Sequence, residues 1–339
     1  MASLRTTALA VAAGLALTAP MAQAQSNDGQ SWQELSGYTD QPTTFNRSAS
    51  IFAPWDNPPS DAKNFTVPEV NNLPDLHGDI VDPQLVIYFA GNQYMVVQDL
   101  IAAFQRAYPQ YKRIFYVTLP PGILLDAVKN HDGAFAIGNL RIAMKPDVLT
   151  RGKGAMEAMQ KDEKAFSDLQ DYADNELALM VAKGNPLHIQ SLADLADPAT
   201  RVTMPNPDWE GIAKVIEKSY VKAGGQALDD KIMKDKVRDG STYLTHIHHR
   251  QSPMRVMAGL ADAAPVWLTE ALFHSKRADE GIDMVKLPDS ENSTLTYTAG
   301  VLKTAPHPEA AKDFVTFLTS SDGQKIYHKY GFASPGTLN

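Results

Sequence analysis

The chain has no cysteine. This excludes disulfides, thiolate nucleophiles, thiolate metal ligands and a lipid anchor on cysteine, so the packed core alone must hold the fold. Positive charge is also scarce, with 31 Lys and Arg against 39 Asp and Glu and a formal net charge of −8. Nucleic acids and anionic membrane surfaces are therefore poor partners. An anionic small ligand stays compatible, because a local site can oppose the global charge. The common catalytic signatures are missing as well: there is no G-x-S-x-G elbow, no G-x-x-x-x-G-K-[ST] loop and no H-E-x-x-H. Asp262 and Glu270 are the only carboxylates near one another in a suggestive segment, and nothing around them suggests a working acid pair. The expectation is a protein that is not an enzyme and has no resident cofactor.

What is present begins with "MASLRTTALAVAAGLALTAPMAQAQ". Arg5 supplies a positive start, and an apolar run extends from Ala8 to about Leu17. Ala22-Gln23-Ala24 fits the small-x-small cleavage rule. The run is too short to span a bilayer. Residues 1–24 are thus expected to be a signal peptide, cleaved after Ala24, that sends a soluble protein to the periplasm. The remaining chain, about 315 residues, suits one large domain or two lobes. Residues 25–82 are rich in Asn, Asp, Pro, Ser and Gln, and are expected to form an irregular arm packed through Trp32, Phe52, Trp55 and Phe65.

From Pro83 short apolar runs alternate with helical spacing. "QLVIYFAG" (84–91) reads as a buried strand and "MVVQDLIAAFQRAYP" (95–109) as a helix closed by proline. "KRIFYVTLPPG" and "ILLDAVKNH" repeat the pair, and "GAFAIGN" and "PDVLTRG" read as a strand and its connection. "WEGIAKVIEKSYVKAG" (209–224) predicts an amphipathic helix with a glycine stop, and Asp208 is expected to cap it. "TYLTHIHH" (242–249) predicts a strand. "SPMRVMAGLAD" (252–262) predicts a helix with Ser252 as N-cap and Pro253 in the first position. The alternation implies a parallel α/β architecture.

Three stretches then carry a resemblance. "LALMVAKGNPLHIQSLADLADPATRVTMPNP" resembles the middle of type II periplasmic solute-binding proteins. "MAGLADAAPVWLTEA" is similar to their G-x-A-D-x-x-x-V-Y-x-T-D-A stretch. "YTAGVLKTAPHPEAAKDFVTFLTSSDGQKIYHKYGF" resembles their C-terminal segment. The nearest branch is the molybdate-type, oxyanion-binding one, and the likeness spans about 84–335. It implies two α/β lobes joined by two crossing hinge segments, at 83–181 plus 287–339 and at 182–286. It also implies a ligand held between the lobes, hinge closure, a monomer, and a membrane permease of an ABC transporter as partner.

Ligands of such sheets bind where strands end and helices begin. The first switch offers Gly91, Asn92 and Gln93, where the oxyanion branch usually has a small hydroxyl residue. The second offers Gly122 and the third Asn206. The fifth offers Trp267, where the family often has Tyr, followed by Glu270. The fourth is "THIHHRQSP", holding three of the nine histidines. His249 and Arg250 there suit an anion clamp at a helix start. His246 and His248 would share one face of a strand and, with Glu270, could hold a transition metal; Asp262 and His77 are further possible ligands. Three readings stay open: capture of a small oxyanion or carboxylate, capture of a metal ion or its chelate, and a sensor or accessory role on the same fold.

Overall fold

The computed structural model describes residues 76–137, 140–208, 210–245 and 250–338. The leader, nearly all of the arm, and His246, His248 and His249 lie outside them. The described end of the arm is not irregular throughout: β1 (Leu76–Gly78) pairs antiparallel with β3 (Ile114–Leu119), and His77 stacks on Tyr116 at 4.7 Å.

One ten-stranded sheet runs through the molecule. In its first half β2 (Leu85–Ala90) lies parallel to β3 and to β6 (Val148–Gly152). All six residues of β2 are buried, as an apolar run covered on both faces requires. Leu85, Ile87 and Phe89 pack towards α1 (Val97–Ala107), α7 (Pro308–Leu318) and α8 (Ser321–Lys329). Val86 and Tyr88 face the other way, with Leu124 of α2 (Pro121–Asn130) and Met156 of α3 (Lys153–Glu163). The hairpin of β4 (Phe135–Ile137) and β5 (Leu140–Ile142) stands apart from the main sheet.

The second half has β8 (Val202–Met204) between β9 (Thr242–Leu244) and β10 (Ala263–Trp267), all parallel. Leu177, Leu179 and Val181 pack with Ile212, Ile216 and Tyr220 of α4 (Gly211–Asp230). Ala178 and Met180 pack on the opposite side with Val256 of α5 (Gln251–Met257) and Ala271 of α6 (Leu268–Ser275).

The halves share β7 (Phe166–Ala182), a 17-residue strand. Residues 166–176 pair with β12 (Thr294–Leu302), while residues 177–182 pair with β10 and β11 (Ile282–Lys286). Every β7 pairing is antiparallel, so the sheet is mixed rather than parallel. The physical reason is the crossing: a strand that enters both halves must be met by strands running back. Asn292 sits where β7 changes partners. Its Oδ1 accepts the Leu177 N–H and its Nδ2 donates to the Leu177 carbonyl, both at 3.0 Å.

Several local expectations are corrected. The described strand at 242 is Thr242–Leu244, and the Thr245 N–H still donates to the Met204 carbonyl at 2.9 Å; the remainder of the expected 242–249 strand lies outside the described residues. The following helix starts at Gln251 with Arg250 as N-cap, so Ser252 and Pro253 are its second and third residues. Proline is tolerated there because first-turn N–H groups have no helical acceptor. Asp208 does not cap α4; its N–H donates to Asn206 Oδ1, and Glu210 is the N-cap. The expected glycine stop is there: Gly224 and Gly225 leave helical geometry, Gly225 with φ +71°, a value glycine accepts freely, and a second helical stretch follows across this kink to Asp230.

Candidate functional site

A cavity of about 220 Å³ opens between the halves. The first half contributes Asn92 after β2, Pro121 at the start of α2, Arg151 at the end of β6, and Gly154 and Ala155 at the start of α3. The second contributes Glu210, Gly211 and Ile212 at the start of α4, and Trp267 at the end of β10. Leu295 and Tyr297 of β12 complete the wall. Strand-to-helix switches therefore do converge there, with two helix starts, of α3 and α4, facing one space. Their N-cap residues, Gly152 and Glu210, make no side-chain capping bond. Helix starts carry N–H groups without helical acceptors and a partial positive charge.

Arg151 is the cation of this wall. Its Nε is buried without a hydrogen-bond partner, and its Nη1 has only the Met159 sulfur at 4.0 Å. Burial pulls its pKa below the usual arginine value, yet a guanidinium keeps its charge in proteins. Its neighbour Lys153 does not compete for this role, since its ammonium pairs with Asp171 at 2.6 Å on the outside. A partly buried guanidinium on a cavity wall, with little of its donor capacity used inside the protein, can take up an anion with charge-assisted hydrogen bonds. Much of the remaining lining is apolar or aromatic, and the Trp267 and Tyr297 rings meet edge to face at 6.0 Å. Asn92 Nδ2 donates to the Tyr297 hydroxyl, fixing both. Burial, above all, pushes the Tyr297 hydroxyl well above its ordinary pKa, so it remains protonated.

Of the residues expected from the sequence, Asn92 and Trp267 line this cavity. Gly91 lies between two lining neighbours, and at the second switch Pro121 lines the wall in place of Gly122. Asn206 is buried below the third switch, where Glu210 takes the wall position, and its backbone N–H donates to Thr245 Oγ1 at 3.3 Å. Gln93 is fully buried with both amide atoms unpartnered, outside the lining.

Arg250 and Glu270 belong to a different place. Arg250 is 1% exposed, its Nη2 donates to the Thr118 carbonyl at 3.2 Å, and its guanidinium lies 5.1 Å from the Tyr94 ring centre. Tyr94 OH meets His274 Nε2 at 2.9 Å, and His274 Nδ1 meets Glu280 at 2.5 Å. Burial and the nearby Glu270 carboxylate raise the Tyr94 pKa well above its ordinary value. This buried polar cluster joins Tyr94 and Thr118 of the first half to Arg250, Glu270 and His274 of the second. Asp262 is paired too, with Arg201 at 2.6 Å. The expected metal set of His246, His248 and Glu270 has only Glu270 within the described residues.

Sequence reasoning missed Arg151, Gly154 and Ala155, taking "PDVLTRG" for a connection and reading no helix after it. The usable signal was a strand end followed by Gly-x-Gly and then Met156 and Met159 at helical spacing, both buried.

The comparisons with known proteins agree with this geometry. Residues 85–333 match the family model of bacterial extracellular solute-binding proteins. The chain belongs to that family, and its fold is the two-lobed periplasmic-binding-protein fold. YvgL of Bacillus subtilis, described as an ABC transporter substrate-binding lipoprotein, is 27% identical over 198 residues, 55% of this chain and 70% of YvgL. The molybdate-binding protein ModA of Mycobacterium tuberculosis is 28% identical over 167 residues, 49% of this chain and 56% of ModA. The chain thus spans just over half of ModA. Among solved structures, the Azotobacter vinelandii periplasmic molybdate-binding protein superposes with a TM-score of 0.59 at 15% identity, covering 74% of this chain and 99% of that one. L-phospholactate-bound PEB3 does so at 0.55 and 17% identity, covering 74% and 99%.

Proposed function

We propose that this protein captures a small anion in the cavity between its two halves and hands it to an ABC-type membrane importer, performing no chemistry on it. One observation carries the reading: the Arg151 guanidinium lines the cavity with a buried Nε that has no partner. The starts of α3 and α4 add partial positive charge on either side of the same space. The names of the relatives support an anion, since two are molybdate-binding proteins and one solved neighbour holds phospholactate. Closure of the two lobes buries the ligand and presents a distinct shape to the permease.

The same proposal assigns residues 1–24 as a leader removed after Ala24, with the mature protein working in the periplasm as a monomer. The lobes lie at about 83–181 plus 287–339 and at 182–286. The hinge is the change of β7 partners near Leu177, held by Asn292. The test is thermal unfolding of the purified protein with molybdate, sulfate, phosphate, acetate and phenylacetate. A ligand bound only by the native state stabilises it by about 2.7 kcal/mol at a hundredfold excess over Kd. At least one anion should raise the melting temperature, and Arg151→Gln should abolish the shift. An unchanged shift in Arg151→Gln overturns the assignment.

A further inference from the structure

We infer that the ligand of this cavity is an organic monoanion with an apolar body, not a bare tetrahedral oxyanion; this rests on the anion reading above and narrows it. Three properties of the cavity converge. The first is size. About 220 Å³ leaves room for on the order of ten water-sized groups. One central atom with four oxygens occupies about half of that. Water would have to fill whatever the closing lobes leave, and a buried water needs several polar partners. Much of the lining offers none, with Pro121, Ala155, Ile212, Trp267 and Leu295 among its residues.

The second property is charge. Among the described lining residues Arg151 is the one cation and Glu210 the one acid. A dianion would bring two negative charges to a space with a single described cation and a carboxylate on its wall, and like charges in a shielded site repel strongly. A single negative charge is matched by Arg151 with help from the two helix starts. The third property is shape. Trp267 and Tyr297 line the cavity, stand edge to face and are nearly buried, so the small edge of ring surface they leave to it is held in place. Such an edge suits a flat or branched hydrocarbon body. Gly154 and Gly211 keep the approach open, since a Cβ added at either would meet nothing within 4 Å.

Isothermal titration of the full chain, followed by Trp fluorescence, separates the possibilities. The probes are acetate, isovalerate, phenylacetate, the neutral phenylacetamide, and molybdate and sulfate. Phenylacetate or isovalerate should bind roughly tenfold or more tightly than acetate, as burial of a hydrocarbon body implies, and should perturb Trp fluorescence. Phenylacetamide should fail. Arg151→Gln should remove carboxylate binding, and Arg151→Lys should restore part of it, which separates loss of charge from loss of folding. Molybdate or sulfate binding that depends on Arg151, without carboxylate binding, overturns this inference and leaves anion capture standing. Carboxylate binding that survives Arg151→Gln overturns the role given to Arg151, and phenylacetamide binding as well as phenylacetate overturns the anion reading itself. No binding by any probe overturns the inference.

Discussion

Two arginines, each beside the start of a helix, have opposite fates. Arg250 precedes α5 in a histidine-rich segment and looks like a ligand clamp. In the fold it is 1% exposed and joins the halves through the Thr118 carbonyl and the Tyr94 ring. Arg151 precedes α3 in an ordinary-looking connection, yet lines the cavity with an N–H to spare. An arginine that reaches from one half into the other fastens structure. One that lines a cavity is available to a ligand. Residue type and local sequence are the same in kind; the distribution of partners decides the role.

This contrast can be broken most sharply at Arg151. Replacing it with Gln should weaken anion binding about a hundredfold or more, as removal of one partner of a desolvated charge pair implies, while the melting temperature of the free protein barely moves. Titration calorimetry and unfolding of the same sample check both halves of the statement. Arg250→Ala should show the inverse pattern. Loss of a buried charge-assisted hydrogen bond and a desolvated cation–π contact should cost about 3 kcal/mol of stability, read by urea unfolding. If Arg250→Ala leaves stability intact and removes only binding, the comparison fails.

Gly154→Leu sharpens it from the cavity side. The added side chain enters open space, so binding should fall by about tenfold or more with stability unchanged or slightly raised, glycine being a poor helix residue. Tyr94→Phe probes the cluster around Arg250. It removes the hydroxyl bonded to His274 and should cost about 1 kcal/mol, with a larger radius of gyration in small-angle scattering of the free protein. The smallest effect is expected at a third arginine. Arg201 pairs with Asp262 but is 39% exposed, so solvent screens the pair. Partial burial alone would raise the Asp262 pKa, but hydrogen bonds from Arg201 hold it below the ordinary value. A carboxylate with a depressed folded pKa contributes stability above its unfolded value and loses it as pH falls below about 4. Asp262→Asn should therefore lower the melting temperature slightly at pH 7, with the difference from the parent protein disappearing towards pH 3 and below.

Much of the fold was legible because burial leaves a plain trace. β2, with six buried residues in succession, and α1, with apolar residues on one face, read directly from the sequence. The missed parts are those where packing is narrow. α3 buries only Met156 and Met159, too thin a stripe to announce a helix, and so the Arg151 switch went unseen. The first part of β7 buries nothing between Phe166 and Tyr172, with Ser167, Asp168 and Gln170 exposed, which hides its length. In the site, Asn92 and Trp267 were reachable because the rule of strand ends depends on topology alone. Arg250 misled because its partners, Thr118 and Tyr94, lie 132 and 156 residues away in sequence, a separation no local pattern encodes.

The continuous β7 strand sets the mechanical scale of the machine. At about 3.3 Å per residue, the arm from Leu177 to Ala182 reaches roughly 17 Å beyond the pivot, and a turn of about 20° would swing its end by about 6 Å. The Asn292 side chain, gripping both the N–H and the C=O of Leu177, acts as an axle pin at that point. Under the proposed hinge closure, opening for the ligand would need no broken strand, only a torsion spread around the point where the lever is held.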